Sequence, residues 1–340
     1  MMQLPWYDWL RPILFKLPPE CAHKLVLQAL NYVPRCCFKT ESSSPVDAMG
    51  LQFPNRVGLA AGFDNNAAHL DGLSKLGFGF IEVGGVTPKA QPGNPSPRLF
   101  RLAEAKALIN RMGFKNGGVD ALVENIRVSH YQGILGVNIS KSQDTSLNNA
   151  AVDYTYCMQA IYPHASYIAV NVSSPNTPNL RQLQYGDYFA KLMISLTEEQ
   201  KRLSDRHQRH VPLVVKLSPD ESEETLKRMA AVLLQHQVAG IIATNTTCRR
   251  DGVQGLNNAL QAGGLSGSPL RVQALACLRL LKQEVGDAMT LIASGGIDSA
   301  KAAEERLEAG ATLVQVYTGL IYKGPQLVHD ILSLSRNSPK

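Results

Sequence analysis

The sequence lacks the patterns that mark several large classes of protein. Its six cysteines are scattered and none forms C-x-x-C, which argues against both a disulfide framework and a zinc site. No apolar run reaches the roughly 18 residues that a membrane span needs, so no transmembrane helix is expected. The sequence contains no H-E-x-x-H and no spacing typical of nucleic-acid-binding motifs. We therefore expect neither a metal nor nucleic acid as a partner.

The composition is typical of a folded chain with a large core. Of its 340 residues, 44% are hydrophobic and 18% are charged. The formal net charge of +6 is a mild excess, compatible with an anionic small ligand or a lipid surface. This length allows one barrel-sized domain with an appendage, or two ordinary domains.

Residues 1–45 differ in character from the rest of the chain. Both tryptophans, Trp6 and Trp9, lie here, and two apolar helical patterns meet at Pro18-Pro19. The segment is therefore predicted to be a helical hairpin, followed by a linker over residues 42–45. Two interpretations stay open: the hairpin caps the core of the main domain, or it anchors the protein at a membrane interface.

Short apolar strands alternate with helical stretches from residue 57 onward. The alternation predicts a parallel sheet, and eight units predict a (β/α)8 TIM barrel over residues 46–340. A doubly wound open sheet is the alternative, but no G-x-G-x-x-G follows the first strand. Residues 87–117 are predicted to be an insertion with a small hairpin. The predicted strands are 57–61, 80–83, 134–139, 168–172, 213–217, 240–244, 290–293 and 313–317.

Polar side chains follow several of these strands. Ser174 lies in a proline-punctuated loop after the fourth strand, and a plain turn is the alternative interpretation of that loop. Active sites of this fold lie at the carboxyl ends of the strands, where Asn138, Asn171 and Lys216 would meet. Gly295-Gly296 and the later Thr318-Gly319 follow the last two strands, where barrels often hold a phosphate. The pattern favours a phosphate-bearing cofactor.

Longer motifs cover nearly the whole chain. They are MGL at 49–51, AAGFD at 60–64, VTP at 86–88, QPGN at 91–94, PRLFRL at 97–102, INRMGF at 109–114, NVSSPNTP at 171–178, ATNTT at 243–247, GGLSG at 263–267 and KGP at 323–325. With these motifs the chain resembles the class 2 dihydroorotate dehydrogenases, the quinone-linked flavoproteins of pyrimidine biosynthesis.

The resemblance implies oxidation of dihydroorotate to orotate, with FMN as hydride acceptor and a membrane quinone as final acceptor. It implies a peripheral membrane protein at the cytoplasmic face of the inner membrane, with residues 1–45 as the quinone-access segment. Ser174 matches the catalytic base, where cytosolic relatives carry a cysteine. The implied FMN contacts are Ala61, Gly62, Phe63, Asp64, Asn65, Gly85, Asn138, Asn171, Lys216, Thr244, Gly267, Gly296, Tyr317 and Thr318. The implied substrate contacts are Asn65, Asn110, Arg111, Met112, Gly113, Phe114, Asn171, Asn176, Asn245 and Thr246.

Two positions depart from the family pattern. Asn65 stands where relatives usually carry a lysine that contacts both flavin and the substrate carboxylate, and Gly85 stands where they usually carry Thr or Ser. Two other functions stay open at this point. The first is another barrel enzyme with a phosphate-bearing cofactor, for example a flavin-dependent 2-hydroxy acid oxidase. That enzyme would require a strand-end histidine as base, and none is found. A non-catalytic membrane-bound scaffold is the second, because of Asn65.

Overall fold

The structure is a computed structural model that describes residues 6–38 and 44–334. The predicted linker of residues 42–45 begins outside the described residues. The strands are β1 (Val46–Ala48), β2 (Leu51–Phe53), β3 (Val57–Leu59), β4 (Phe80–Val86), β5 (Lys89–Gln91), β6 (Leu99–Leu102), β7 (Ala107–Asn110), β8 (Asn116–Gly118), β9 (Ile134–Ile139), β10 (Tyr167–Asn171), β11 (Leu213–Leu217), β12 (Gly240–Ala243), β13 (Gly264–Gly267), β14 (Thr290–Ser294) and β15 (Leu313–Val316).

The α-helices are α1 (Trp6–Lys16), α2 (Pro19–Tyr32), α3 (Leu70–Leu73), α4 (Val119–Val128), α5 (Ala150–Ile161), α6 (Gly186–His207), α7 (Glu223–Gln235), α8 (Arg271–Val285), α9 (Ala300–Glu308), α10 (Thr318–Lys323) and α11 (Gln326–Leu334). Short 3-10 turns lie at Arg35–Cys37, Ser74–Leu76, Leu147–Asn149, Leu180–Gln184 and Ser268–Leu270.

Eight parallel strands close into a barrel, which confirms the predicted fold class. Their order around the barrel is β3-β4-β9-β10-β11-β12-β14-β15, and helices lie between them in the chain. Two strands match the prediction to the residue, Ile134–Ile139 and Leu213–Leu217, and the other boundaries shift by one to three positions. The helix α10 was not predicted, because its residues Thr318–Lys323 include β-branched and aromatic side chains that favour strands.

Side chains alternate between the barrel interior and the layer beneath the helices. In β10, Tyr167 and Ala169 pack inside the barrel, whereas Ile168 and Val170 pack outward in the main apolar cluster. The next inward position is Asn171, at the carboxyl end of the strand. The same period places Lys216 at the corresponding end of β11. The alternation of side chains therefore places polar groups at the carboxyl ends of the barrel strands, the opening of the barrel that we call the mouth.

The opposite end of the barrel is closed by the β1–β2 hairpin. Phe53 of this hairpin is fully buried and stacks edge-on against Phe80, with ring centroids 5.2 Å apart. Phe80 begins β4, and Tyr167, which begins β10, lies against it at 6.3 Å. These aromatic side chains fill the amino-terminal half of the barrel, which leaves the carboxyl half for polar side chains.

The insertion between β4 and α4 forms a small sheet over the barrel mouth. The predicted hairpin there is confirmed as β6 and β7, and β13 from the loop after β12 adds a third strand. Arg98, just before β6, pairs with Glu20 of α2 at 2.6 Å. The insertion therefore contacts both the barrel mouth and the N-terminal helices.

The N-terminal helices pack on the barrel through α2. Leu27 and Leu30 are buried in the main apolar cluster, and Lys75 donates from Nζ to the carbonyls of Leu30, Asn31 and Val33 at 2.9–3.0 Å. These bonds satisfy carbonyls at the end of α2 that have no partner within the helix. Helix α1 is more exposed. The division of the chain into residues 1–45 and 46–340 stays a prediction.

We expect Gly136→Ala to destabilise the barrel by about 1–3 kcal/mol, because the interior there has no room. A Cβ at Gly136 would lie 2.1 Å from Cζ of Tyr167. The control is Gly117→Ala, where the nearest atom to the new Cβ, on Ala121, lies at 3.3 Å. Urea unfolding followed by circular dichroism measures both. Equal midpoints for the two variants would contradict this account of the interior.

Candidate active site

A cavity opens at the carboxyl ends of the barrel strands, where the sequence predicts the reaction site. Its wall contains Ser174 and most of the predicted cofactor and substrate residues. These are Ala61, Gly62, Gly85, Asn110, Met112, Gly113, Phe114, Asn171, Asn176, Lys216, Thr244, Asn245, Thr246, Gly267, Gly296, Tyr317 and Thr318. Residues from distant parts of the chain therefore share one mouth.

Hydrogen bonds to the insertion of residues 87–117 fix the loop that contains Ser174. Ser174 is 8% exposed, and its Oγ accepts the N–H of Asn176 at 3.3 Å. The Asn176 side chain donates to Oδ1 of Asn110 at 3.0 Å, and the Asn176 carbonyl accepts from Asn94 at 3.2 Å. These bonds hold the loop in one conformation, and the hydroxyl of Ser174 lines the cavity.

Arg181 ties three strand-end loops together beside Ser174. Its guanidinium donates to the carbonyl of Ser173 at 3.1 Å and to the carbonyl of Thr246 at 3.2 Å. It also forms an ion pair with Asp220 at 2.9 Å, and both side chains of this pair are partly buried. The loops after β10, β11 and β12 are thereby fixed relative to one another.

Behind the mouth, a buried carboxylate fixes the direction of a hydrogen-bond chain. Glu82 is fully buried in the barrel interior and accepts from Asn138, Tyr167 and Gln315 at 2.7–2.9 Å. Asn138 uses its Nδ2 as the donor in this bond, which leaves its Oδ1 to accept from another residue. Its Oδ1 then faces Asn171, which donates from Nδ2 at 3.0 Å.

The outer end of this chain is fixed by backbone donors. Asn171 Oδ1 accepts the N–H of Ser173 at 3.2 Å, and Asn245 Oδ1 accepts the N–H of Thr246 at 2.8 Å. The oxygens of both amides are therefore engaged inside the protein. Asn245 Nδ2 also donates within the protein, to Ser173 Oγ at 2.9 Å and to Asn171 Oδ1 at 3.4 Å. Asn171 Nδ2 makes one such bond, so it keeps one N–H donor that suits a carbonyl or carboxylate oxygen of a ligand.

Lys216 is a buried cation at the centre of the mouth. It is 6% exposed, and its Nζ makes no hydrogen bond or ion pair with any described residue. Burial lowers the pKa of this ammonium, and the negative charge of Glu82 opposes that shift. A cation without a protein partner in a ligand cavity is suited to stabilising negative charge on what binds there.

One side of the cavity offers free backbone donors. Gly295, Gly296 and Ile297 line it after β14, and their N–H groups donate to no acceptor within the described chain. Opposite them, Thr318 donates from Oγ1 to Ser266 Oγ at 2.8 Å. Successive free N–H groups form an anion-binding concavity. This side of the mouth fits a phosphate.

A second, more apolar cavity lies between the barrel and the N-terminal helices. Leu14, Leu27 and Leu30 contribute to its wall from α1 and α2. Gly62, Met112 and Tyr317 line both cavities and so form a thin wall between them. Within residues 6–38 and 44–334, no helix has the length and hydrophobicity to cross a membrane.

Comparison with known proteins identifies the family. The sequence model of the family "Dihydroorotate dehydrogenase" matches residues 44–334. The chain belongs to the dihydroorotate dehydrogenase family. It is 59% identical to the dihydroorotate dehydrogenase (quinone) of Legionella pneumophila strain Lens over 327 residues, which are 96% of this chain and 98% of that protein.

Two further relatives support this assignment. The dihydroorotate dehydrogenase (quinone) of Herminiimonas arsenicoxydans is 50% identical over 338 residues, or 97% of each chain. The crystal structure of the Eimeria tenella enzyme in complex with ferulenol superposes with a TM-score of 0.86 at 35% identity, and covers 93% of this chain and 90% of that one. The names of the curated relatives place the chain in the quinone-dependent class 2 of dihydroorotate dehydrogenases.

Three residues that the dihydroorotate dehydrogenase pattern assigns to the mouth line the second cavity instead. They are Phe63, Asp64 and Asn65. The Asp64 carboxylate accepts the N–H groups of Asn66, Ala68 and His69, which holds a turn where the sequence predicts helix. The Asn65 side chain donates to the carbonyl of Lys115 at 3.0 Å. Their predicted roles in binding FMN and substrate stay predictions.

Two more predicted contacts lie behind the mouth or at its edge. Asn138 is fully buried beneath the cavity wall, where it acts on Asn171. Arg111 stacks over Phe100 with its guanidinium carbon 4.6 Å from the ring centroid, and it donates to Pro97 and Gln261. Its guanidinium therefore fixes the insertion.

Gly85 lines the mouth, and the space beside its Cα is too small for a larger side chain. A Cβ there would lie 2.7 Å from Cε1 of Phe114. The Thr or Ser that relatives usually carry would therefore require the Phe114 ring to move. The Phe114 ring fills the space that the smaller residue leaves.

Sequence reasoning missed several polar residues of the site. Ser294 and Gln315 line the cavity from inward positions of β14 and β15, and Glu82 lies beneath them. Ser266, which accepts from Thr318, and Asp298 also line this cavity. The period-2 alternation of each strand, counted back from its polar end, would have found the first three. No comparable signal marks the other two, which lie outside the barrel strands.

The donor set of the mouth fits the flavin cofactor of the dihydroorotate dehydrogenase family. The free N–H groups of residues 295–297 suit a phosphate, and Lys216 suits the electron-rich edge of a ring. Gln315 Oε1 is buried without a partner among the described residues and can accept from a ring N–H. No group of His, Cys, Asp and Glu in the described ranges is arranged to hold a metal ion.

Proposed function

We propose that this protein oxidises dihydroorotate to orotate in pyrimidine biosynthesis, with FMN as hydride acceptor and a membrane quinone as final acceptor. The observation that carries the proposal is the convergence of Ser174, the amide donors and Lys216 in one mouth. The residues lining this mouth include no histidine, so the histidine base of a 2-hydroxy acid oxidase is not among them. The second cavity offers an apolar approach to the thin wall between the cavities.

Ser174 is the proposed base that removes the proton from C5 of dihydroorotate. When bound, FMN supplies the ring nitrogen that accepts the hydride from C6. A serine hydroxyl is weakly basic, so it must pass the proton onward. Thr177, in the same loop, has a buried hydroxyl without a partner among the described residues and is placed to take part.

The amides and Lys216 bind and orient the reactants. Asn110, Asn171, Asn176 and Asn245 surround the mouth, and the oxygens of Asn110, Asn171 and Asn245 are engaged within the protein. The Nδ2 groups of Asn110, Asn171 and Asn176 each make one bond within the protein, and the second N–H of each suits the carbonyl and carboxylate oxygens of orotate. Lys216 stabilises negative charge that develops on the cofactor ring.

The N-terminal helices are proposed to bring the protein to the membrane surface. Helix α1 lines the second cavity with one face and exposes Trp9 (79%) and Ile13 (61%) on the other. Exposed tryptophan and isoleucine beside an apolar cavity suit an interfacial helix that receives a lipid-soluble quinone. The proposed location is peripheral, at the cytoplasmic face of the inner membrane.

Ser174→Ala is expected to bind FMN normally and to lose most of its flavin reduction, because a general base contributes roughly 10²–10⁴-fold. Stopped-flow bleaching of the flavin by dihydroorotate measures this half-reaction without quinone. Ser174→Cys should retain part of the rate with a lower optimal pH, since a thiol ionises more readily than a hydroxyl. A rate in Ser174→Ala within about threefold of wild type would rule out this base.

Asn65→Lys is expected to raise kcat/KM for dihydroorotate by roughly 10–100-fold, or ~1.5–3 kcal/mol for one charge-assisted contact. Asn65 lines the second cavity and its neutral amide donates to the carbonyl of Lys115, so it does not offset the carboxylate charge of the substrate. The prediction requires the longer, charged lysine side chain to reach the mouth past the wall between the cavities. The matched control is Asn65→Gln, which lengthens the side chain without adding charge and should leave kcat/KM little changed. An unchanged or lower value in Asn65→Lys would show that other residues already fulfil this role.

The double variant Trp9→Asp/Ile13→Asp should lose vesicle binding by about tenfold or more, because it removes the exposed apolar face of α1. Flavin reduction by dihydroorotate should be unaffected, since the mouth is distant from this face. Val272→Asp is the control, because Val272 is also 79% exposed but lies on α8. Co-sedimentation with lipid vesicles measures binding. Equal loss in the control would mean that added negative charge alone weakens binding.

A further inference from the structure

Arg306 of α9 is a fully buried arginine with no carboxylate partner among the described residues. It is 0% exposed, and its Nη2 donates to the carbonyls of Arg271 at 2.7 Å and Gly295 at 3.1 Å. Its Nε and Nη1 find no acceptor within the described chain. Buried donors without partners reduce stability, so packing alone does not account for this residue.

The bond to Gly295 fixes one peptide of the turn after β14. The carbonyl of Gly295 and the N–H of Gly296 belong to the same peptide unit, which is trans. In a trans peptide these two groups point in opposite directions. Because Arg306 holds the carbonyl on the buried side, the N–H of Gly296 is turned toward the cavity. This N–H is one of the free donors described above.

The charge of Arg306 also lies directly behind this turn. Burial is the main reason that the pKa of Arg306 falls to about 10, which still leaves the guanidinium charged at neutral pH. The neighbouring Arg271 and Glu305 form an ion pair at 2.6 Å and largely cancel each other. On the cavity side, Asp298 carries a negative charge and accepts from Ser268 Oγ at 2.5 Å. Arg306 is thus the unpaired buried cation nearest this turn among the described residues.

We propose that Arg306 is a positioning residue for the phosphate of the cofactor. It holds the Gly295–Gly296 peptide with its N–H facing the cavity, and it places a solvent-shielded positive charge behind that peptide. A buried charge is screened by salt far less than an exposed one, so its attraction for the phosphate persists at physiological ionic strength. The inference rests on the proposed function, because it requires FMN in the mouth.

The test compares FMN with riboflavin, which has the same ring but no phosphate. Holoenzyme is dialysed to equilibrium against mixtures of the two flavins, and the bound flavins are quantified by chromatography. The ratio of the two dissociation constants measures the contribution of the phosphate. Arg306→Met should lower the preference for FMN by about tenfold or more while the affinity for riboflavin changes by less than about threefold. Arg306→Lys, which keeps the charge without the paired carbonyl contacts, should lower the preference by about threefold.

Arg279→Met is the matched control, because Arg279 is an exposed cation of α8 with no bond to the turn. Its preference should stay within about twofold of wild type. An unchanged preference in Arg306→Met, or a fall equal to that of Arg279→Met, overturns the proposal. If Arg306→Met gives no folded protein, an unchanged preference in Arg306→Lys overturns it instead. Wild-type protein that binds neither flavin would contradict the proposed function itself.

Discussion

The polar half of the barrel depends on the burial of one carboxylate. Taking Glu82 out of water is unfavourable by several kcal/mol, and three donors from three different strands offset that term. Those donors are then committed, so the amides above them can bond in only one direction. The orientation of Asn171 at the mouth is thereby linked to Glu82 through Asn138, and the N–H of Ser173 fixes it from the other side. A neutral, apolar residue in place of Glu82 would leave the amide of Asn138 without its inner partner, while the N–H of Ser173 would still hold Asn171.

The sequence predicted the barrel well because its signals are local. The predicted barrel strands are apolar runs that end in Gly, Asn, Thr or Lys, and such runs are visible without knowing what pairs with them. Asn171 and Lys216 were found for the same reason, since they end apolar strands. Glu82 and Gln315 were missed because they lie inside strands, where a polar residue has meaning only once the inward face is assigned.

Contacts between distant segments account for the rest of what the sequence did not predict. Strand β13 is a glycine-containing tetrapeptide that is extended because it pairs with β7 and, through Leu265, with Thr247. The turn at residues 64–69 replaces the first part of a predicted helix because the Asp64 carboxylate accepts three backbone N–H groups there, those of Asn66, Ala68 and His69. The two interpretations of the N-terminal hairpin are compatible, since α2 caps the core while α1 exposes an apolar face.

The wall that Gly62, Met112 and Tyr317 form between the two cavities has a kinetic consequence. Under the proposed function, the polar substrate would use the cavity at the strand ends and the apolar quinone would use the cavity beside the N-terminal helices, so neither would have to leave before the other arrives. In that arrangement, FMN bound next to this wall would be within reach of each partner from a different side. Product dissociation then need not limit reoxidation, and competition between the two substrates for a common pocket is avoided by geometry. In the proposed reaction, electrons would pass through the barrel from a water-soluble metabolite to a lipid-soluble carrier that bind in separate cavities.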